Sequence, residues 1–344
     1  MTNNERCMIP GVMFQSWRYR QAAEKGLTRK IIFNTWGGIG DQICAEPTLR
    51  FGLKAFDKCE VSLATPFPQL FEHLKFAKVF DLKERQPLWD DYWVFNTIVP
   101  SDHLMWSFIS HAITHCVDFT SMCAFRMHLP IAQKEIIMPI DEGSVKPMLR
   151  ELLKAKHDRL VIVHAGKHWP SKTFPKDWWD DVLYELQALN LTPVLIGADA
   201  DDNRTTVDVD TTDCIDLRNK TSLKESIWLC QHAKALITND SSPLHMAASG
   251  DAWIGYVATC KHPDYITHWR NGRWSWRMEN LGLGGVWDTM SFCPNVTEEI
   301  KVDLVDEKTL RTWLPEPRKV ALWTHEKMKS WTPRTAENCR LQAV

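Results

Sequence analysis

The chain has 344 residues, 44% of them hydrophobic and 24% charged, with 41 Lys and Arg set against 43 Asp and Glu. That composition excludes a mostly disordered chain, a collagen-like repeat and a membrane bundle, and the length is that of two ordinary domains. A net charge of −2 gives no global field to draw the protein to nucleic acid or lipid, although a local basic face stays open.

In chain order, the opening residues MTNNERCMIPGVMF lack the basic stretch and long apolar run of a secretory signal. Nowhere does an uninterrupted apolar run reach the roughly 18 residues that cross a bilayer. The 10 cysteines are scattered without a Cys-x-x-Cys pair and read as reduced thiols, so a cytoplasmic location is expected. Lys30 to Trp36 (KIIFNTW) predicts a buried strand, followed by a Gly-rich turn, a helix from Asp41 to Phe56 and a strand from Val61 to Pro66. This is a βαβ opening. Residues 67–140 are aromatic-rich and broken by Pro87, Pro100, Pro130 and Pro139, and they allow no division into elements. They hold His111 and His115 at i, i+4 beside Cys116, but without a His-Glu-x-x-His arrangement structural histidines are the default and no metal is expected.

A charged helical stretch, Ser144 to Lys156, leads into the apolar run LVIVHAG at 160–166, a central strand of a parallel sheet. Helices are then predicted at 176–190, 223–234 and 243–249, alternating with strands at 193–197, 235–238 and 252–257. Ser222 with Glu225 three residues on is a capping-box spacing for the second of these helices. An α/β rhythm that occurs twice predicts two Rossmann-like sheets, with domains at 1–150 and 151–315 and a C-terminal helical segment at 316–344 that is expected to pack back on the first domain. In such sheets ligands bind at the carboxyl ends of the strands, so the loops there carry the chemistry.

Three loops stand out. TWGGIGDQI (35–43) has Gly37, Gly38 and Gly40 for a tight turn at a helix start, but lacks the third glycine of a dinucleotide fingerprint and the Gly-Lys-Ser/Thr of a P-loop. It offers Asp41, either a helix-capping residue or a carboxylate at the mouth of the sheet. HAGKHWPSKTFP (164–175) places Lys167, Ser171 and Lys172 where an anion can lie, although loop lysines are commonly just solvated. NDSSPLHMAASG (239–250) has Ser242 as a natural N-cap, Pro243 at the first helical position and His245 in the first turn, a seat for phosphate at the helix N-terminus.

GGIGDQICAEPTLRFGLKAF, HAGKHWPSKTFP and LCQHAKALITNDSSPLHMAASG, in this order and at these separations, resemble the ADP-heptose:lipopolysaccharide heptosyltransferases of glycosyltransferase family 9. The resemblance implies the GT-B fold, two Rossmann-like domains facing across a cleft. It also implies inverting, metal-independent transfer of a sugar from a nucleoside-diphosphate donor to an acceptor hydroxyl, with no cofactor, at a cytoplasmic site at most peripheral to the inner membrane. By that resemblance Asp41 matches the general base and Lys172 a donor-phosphate contact, with Ser171 beside it. Asp240, Ser241, Ser242 and His245 match the motif around the donor diphosphate and sugar, and Asp201, in the acidic run after Gly197, the ribose contact. The sequence departs from the family pattern at Ser242, where glycine is usual, and in the segment after Val257, which lacks the Phe-Gly-x-Thr continuation.

That segment, KHPDYITHWRNGRWSWR (261–277), sets Lys261, Arg270, Arg273 and Arg277 among Tyr265, Trp269, Trp274 and Trp276. The mixture suits phosphates and stacked bases, so these residues are candidate acceptor or nucleic-acid contacts, against the alternative of an ordinary loop with buried indoles. A transferase acting on a hydroxyl-bearing DNA base, a sugar-nucleotide epimerase and a non-catalytic sugar or nucleotide binder of the same fold stand beside the main reading. The acceptor class, glycan, lipid or DNA, is left open, as is the oligomeric state.

Overall fold

The computed structural model describes residues 29–35, 37–54, 59–75, 77–84, 93–96, 118, 120, 121, 123, 134–198, 205–285 and 305–333. These fall into two compact units, one within 1–99 and 120–134, the other within 100–119 and 135–344. Asp201, His111, His115 and Cys116 lie outside the described residues.

In the first unit β1 (Arg29–Asn34) is followed by α1 (Ile39–Lys54), β2 (Cys59–Thr65), β3 (Lys78–Asp81) and β4 (Trp93–Asn96). The strands form a parallel sheet in the order β3-β2-β1-β4, with Ile31 opposite Val61 on one side and Trp93 on the other. Burial of Ile32, Phe33, Leu63 and Ala64 from the strands and of Ile43, Cys44, Ala45 and Leu49 from α1 docks the helix on the sheet. Gln42 adds a polar tie, its Oε1 accepting from Thr65 Oγ1 at 2.9 Å.

The second unit holds α2 (Pro147–Lys156), β5 (Leu160–His164), α3 (Lys176–Ala188), β6 (Thr192–Leu195), β7 (Ile215–Asp216), α4 (Leu223–His232), β8 (Ala235–Asn239), α5 (Ser242–Ala248) and β9 (Trp253–Val257). After these come α6 (Pro263–Ile266), β10 (Trp269–Arg270), β11 (Arg273–Trp274), β12 (Met278–Asn280), α7 (Glu307–Trp313) and α8 (Pro317–Lys329). Its six-stranded sheet is parallel throughout, in the order β12-β9-β8-β5-β6-β7. β5 and β8 are buried at every position, as strands covered on both faces must be. The capping box at Ser222 and Glu225 forms as predicted, each residue bonding the other's backbone N–H.

The sequence places a boundary near residue 150, whereas the residues from Glu135 onward lie in the second unit. Met138 O accepts from Gln231 Nε2 at 2.6 Å, Lys146 N–H donates to Glu225 Oε1 at 3.1 Å, and Glu135 Oε1 accepts from Gly272 N–H at 2.5 Å. These bonds span 79 to 137 residues of sequence, which is why local patterning does not find them. α8 spends its buried stripe of Val320, Ala321, Thr324 and Met328 on α3 and on β8 and β9 of its own unit. The Trp178 indole closes that corner by donating to Pro315 O at 2.8 Å. Among the described residues no helix is long and apolar enough to cross a membrane.

Candidate active site

In the second sheet the strand order reverses between β5 and β8. The loop after one departs toward β6 and the loop after the other toward β9, which opens a crevice at their carboxyl ends. The two loops that the sequence singles out, after His164 and after Asn239, border this crevice. Asn239, the last residue of β8, fastens them together: its Nδ2 donates to Gly166 O at 3.0 Å and to Lys172 O at 2.7 Å. Gly166 has no Cβ because one would run into the Asn239 amide, so glycine and asparagine are a matched pair. Ser171 is buried, and its carbonyl accepts from Thr259 Oγ1, tying in the loop after β9.

The fastening brings Lys172 Nζ to 2.5 Å from Asp240 Oδ2, with side-chain exposures of only 9% and 5%. Burial by itself drives the Asp240 carboxyl upward, but the charge and hydrogen bond of Lys172, with His245 and Lys261 behind them, hold it below the ordinary carboxylate range. Lys172 also lies 4.8 Å from the centroid of the Trp169 ring, and Lys261 lies 5.8 Å from that same ring and 5.9 Å from Tyr265. Among the described residues, Lys172, Lys261 and Asp240 thus gather their charges around the Trp169 indole.

His245 faces another histidine, its Nδ1 2.7 Å from His268 Nε2, so one ring donates and the other accepts. Burial pushes His245 down to about 4 in spite of Asp240, and burial with the neighbouring charges sends His268 well below its usual value. The pair is neutral at physiological pH. The helix that carries His245 starts one residue earlier than expected. Ser241, not Ser242, is the N-cap, and the Ser241 hydroxyl makes no cap bond, meeting Thr238 Oγ1 at 3.0 Å instead. Ser242 and Pro243 occupy the first two helical positions.

The basic-aromatic stretch divides. Arg270 is 1% exposed, and its guanidinium donates to the carbonyls of Ala247, Ala248, Gly250, Ala252, Trp276 and Arg277, closing the C-terminal end of α5. Arg277 is buried as well, donating to Asp251 O at 2.8 Å and Thr332 O at 2.7 Å with the Trp276 ring 4.3 Å away. Both serve the fold, so the expectation that they contact an acceptor or nucleic acid is overturned. Arg273 is exposed and Trp274 half-buried on the β10–β11 hairpin, where Trp274 pairs with Trp269. Lys261 belongs to the crevice.

In the first unit the loop after β1 ends at Asp41. Its Oδ2 accepts the Gly38 N–H at 2.7 Å, a half-buried carboxylate in the first turn of α1. Gly37 takes φ +95°, and a Cβ there would strike the Asp41 carboxylate, which is what requires glycine. Gly38 precedes the helix and Gly40 lies in its first turn, neither with positive φ. The Asp41 side chain thus does cap its own loop, at the carboxyl edge of the sheet where a carboxylate can also meet a substrate. Sequence reasoning missed Asn239, Trp169, Thr259 and His268. The first two sit inside the singled-out loops, whereas His268 is 23 residues from its partner and has no local signal.

The parallel sheets have the arrangement of the GT-B fold. Residues 108–253 match the family model Glycosyltransferase family 9 (heptosyltransferase). The match takes in the second and third loops and begins after the first. Among solved structures, the iron-containing dodecameric glycosyltransferase TibC from enterotoxigenic E. coli is 13% identical, with a TM-score of 0.57, over 88% of this chain and 77% of its own. The ADP-heptose lps heptosyltransferase II of E. coli is also 13% identical, with a TM-score of 0.55, over 88% of this chain and 99% of that one. E. coli heptosyltransferase WaaC, solved with ADP, is 10% identical at a TM-score of 0.50, over 87% and 99%. No curated protein matches the sequence.

Proposed function

We propose that this protein is an inverting glycosyltransferase that moves a sugar from a nucleoside-diphosphate donor to the hydroxyl of a glycan or glycolipid acceptor without a metal ion. The observation that carries the reading is the Lys172–Asp240 pair at the switch point, held by Asn239. As the bond to the sugar breaks, negative charge collects on the departing diphosphate, and a preorganised cation in a largely water-excluded position stabilises it. Lys172 supplies that charge, so the reading assigns the leaving-group role to the chain itself and expects no cofactor. Ser241, Ser242 and His245 border the same end of β8 and α5 and are assigned to the phosphates and sugar of the donor.

Inversion needs a base that takes the acceptor proton during attack, and a positioned carboxylate typically supplies 10² to 10⁴-fold. Asp41 is assigned that role on its place at the carboxyl edge of the first sheet and on the resemblance of its loop. Burial of Arg270 and Arg277 removes half of the cations on which a DNA-modifying activity would draw, which favours a sugar acceptor over a nucleic-acid base.

The test is a thermal-shift screen against ADP-, UDP-, GDP- and CDP-linked sugars, followed by turnover of the sugar that binds, with and without EDTA. A ligand at 100 times its dissociation constant adds about 2.7 kcal/mol of stability. The expected result is one nucleotide class that shifts the transition, turnover indifferent to EDTA, and an Asp41→Asn variant that binds donor but transfers at least 100-fold more slowly. Turnover of donor to an isomer with no acceptor present would make the protein an epimerase. Donor binding with an unimpaired biological role for Asp41→Asn would make it a non-catalytic binder.

A further inference from the structure

The loop that carries Asp41 runs from β1 into α1, and both of its ends rest on neighbouring residues of β2. At one end Thr35 donates to Ala64 O twice, from its N–H at 2.9 Å and from its hydroxyl at 3.3 Å. At the other, Gln42 Oε1 accepts from the Thr65 hydroxyl at 2.9 Å, and that hydroxyl accepts from the Phe67 N–H at 3.1 Å. Thr35, Gln42 and Thr65 are each 0% exposed. Gly37 and Gly38 are exposed, and Ile39, Gly40 and Asp41 are half-buried, so Gln42 is the first buried residue after Gly37. A hydrogen bond between groups sealed from water returns little net stability, and Ile43, Cys44, Ala45 and Leu49 already dock the helix by apolar burial. What the buried amide and hydroxyl add is direction, because a hydrogen bond fixes a distance and an angle where apolar contact lets a helix end slide.

We propose that Gln42 and Thr65 are positioning residues for Asp41, holding the first turn of α1 at the sheet edge so that the carboxylate is presented to the attacking hydroxyl. The inference rests on the reading of Asp41 as the base and names what places it. The Gln42 N–H donates to Gly38 O at 3.1 Å, and the Gly38 N–H donates to Asp41 Oδ2 at 2.7 Å, so the Gln42 backbone and the carboxylate meet on one glycine. A shift at the Gln42 side chain therefore reaches Asp41 through two hydrogen bonds. Neither Gln42 nor Thr65 takes a proton itself.

The experiment is steady-state release of nucleoside diphosphate, with water as the acceptor, from whichever ADP-, UDP-, GDP- or CDP-linked sugar stabilises the wild type. In that reaction the water oxygen bonds to the anomeric carbon, its proton passes to Asp41, and the bond from that carbon to the diphosphate breaks. Gln42→Met and Thr65→Val are each expected to lower kcat roughly tenfold to a hundredfold, the loss that a misplacement of about 1 Å produces, and to leave the donor KM within about twofold. Thr65→Ser, which keeps the hydroxyl, should retain most of the rate. Added to Asp41→Asn, Gln42→Met should cost nothing further, because a residue that acts through the carboxylate then has nothing left to place. Full kcat in Gln42→Met and Thr65→Val, whatever their melting temperatures, overturns the inference and leaves the base reading standing. So does a further loss on the Asp41→Asn background, and so does failure of both apolar variants to fold, which makes the tie structural. Asp41→Asn at the wild-type rate, or a wild type that hydrolyses none of the four donor classes, overturns the base reading itself and the inference with it.

Discussion

Asp240→Asn separates the ion pair from its surroundings with little change of shape. Lys172 Nζ lies 2.5 Å from Asp240 Oδ2, and both side chains are less than a tenth exposed. The variant leaves a buried ammonium facing a neutral amide, and breaking a buried pair on one side costs about 3–5 kcal/mol. For a unit of about 200 residues, where 1 kcal/mol moves the melting temperature by roughly 2–4 °C, the transition of the second unit should fall by about 6–20 °C. The double change Asp240→Leu with Lys172→Met replaces both charges by apolar groups and should recover most of that loss, because such replacement of a buried pair is often neutral. The pH dependence follows from sign. The folded Asp240 carboxyl titrates below its ordinary 3.8, so its contribution is whole above that value and is lost as pH falls through the lower folded value. The deficit of Asp240→Asn should therefore be constant from pH 5 to 8. Differential scanning calorimetry of the wild type, of Asp240→Leu and Lys172→Met each alone, and of the double variant reads the coupling directly. A single variant that melts within 1 °C of wild type, or single effects that simply add in the double, would refute the claim that this is a buried, mutually dependent pair.

The other outcomes are simpler. Arg270→Met orphans the carbonyls at the end of α5 and should cost about 3–5 kcal/mol, whereas Arg273→Ala on the exposed hairpin should stay within about 0.5 kcal/mol, both read by denaturant unfolding. His245 is neutral in the fold and drops from 6.5 to about 4, so the unfolded chain binds more protons below pH 6.5. Stability should fall by up to ~1.4 kcal/mol per pH unit between 6.5 and 4, and a His245→Gln variant should be flatter there. Gly37→Ala places a β-carbon at φ +95° against the Asp41 carboxylate. It should cost about 1–3 kcal/mol and also slow any turnover that depends on Asp41, which a hydrolysis assay on the bound donor measures.

Much of the fold was legible because the second unit repeats one physical unit: an apolar strand buried on both faces, a polar turn, a helix with one apolar stripe. The strands at 160–164, 235–239 and 253–257 read as continuous apolar runs, and Ser222 with Glu225 marks a helix start through two hydrogen bonds three residues apart. The site was legible where its residues share a loop, as Ser171 and Lys172 do, or Asp240 and Ser241. What patterning could not give depends on long-range bonds. Glu135, Met138 and Lys146 join the second unit through partners 79 to 137 residues away. Arg270 reads as a surface cation until six backbone carbonyls are found around it. A guanidinium at a helix end and one at a phosphate have the same local sequence, and only burial separates them.

Asn239 shows why the second and third loops work as one object. A parallel sheet leaves a crevice wherever neighbouring strands send their loops in opposite directions, and such a crevice is wide unless something spans it. The side chain of Asn239 spans it with two donated bonds from one nitrogen, to Gly166 and to Lys172, and the second of these fixes the backbone from which the Lys172 side chain reaches Asp240. The ion pair is thus a consequence of the fastening as much as of opposite charge. Removing the amide should release Lys172 even with Asp240 intact. Asn239→Ala should therefore weaken diphosphate binding about as much as Lys172→Met does. Asn239→Asp, which keeps the shape but has no N–H to give, should behave like the alanine. Full affinity in Asn239→Asp would mean that loop and cation are positioned by other contacts, and that the asparagine matters only to the strand it ends.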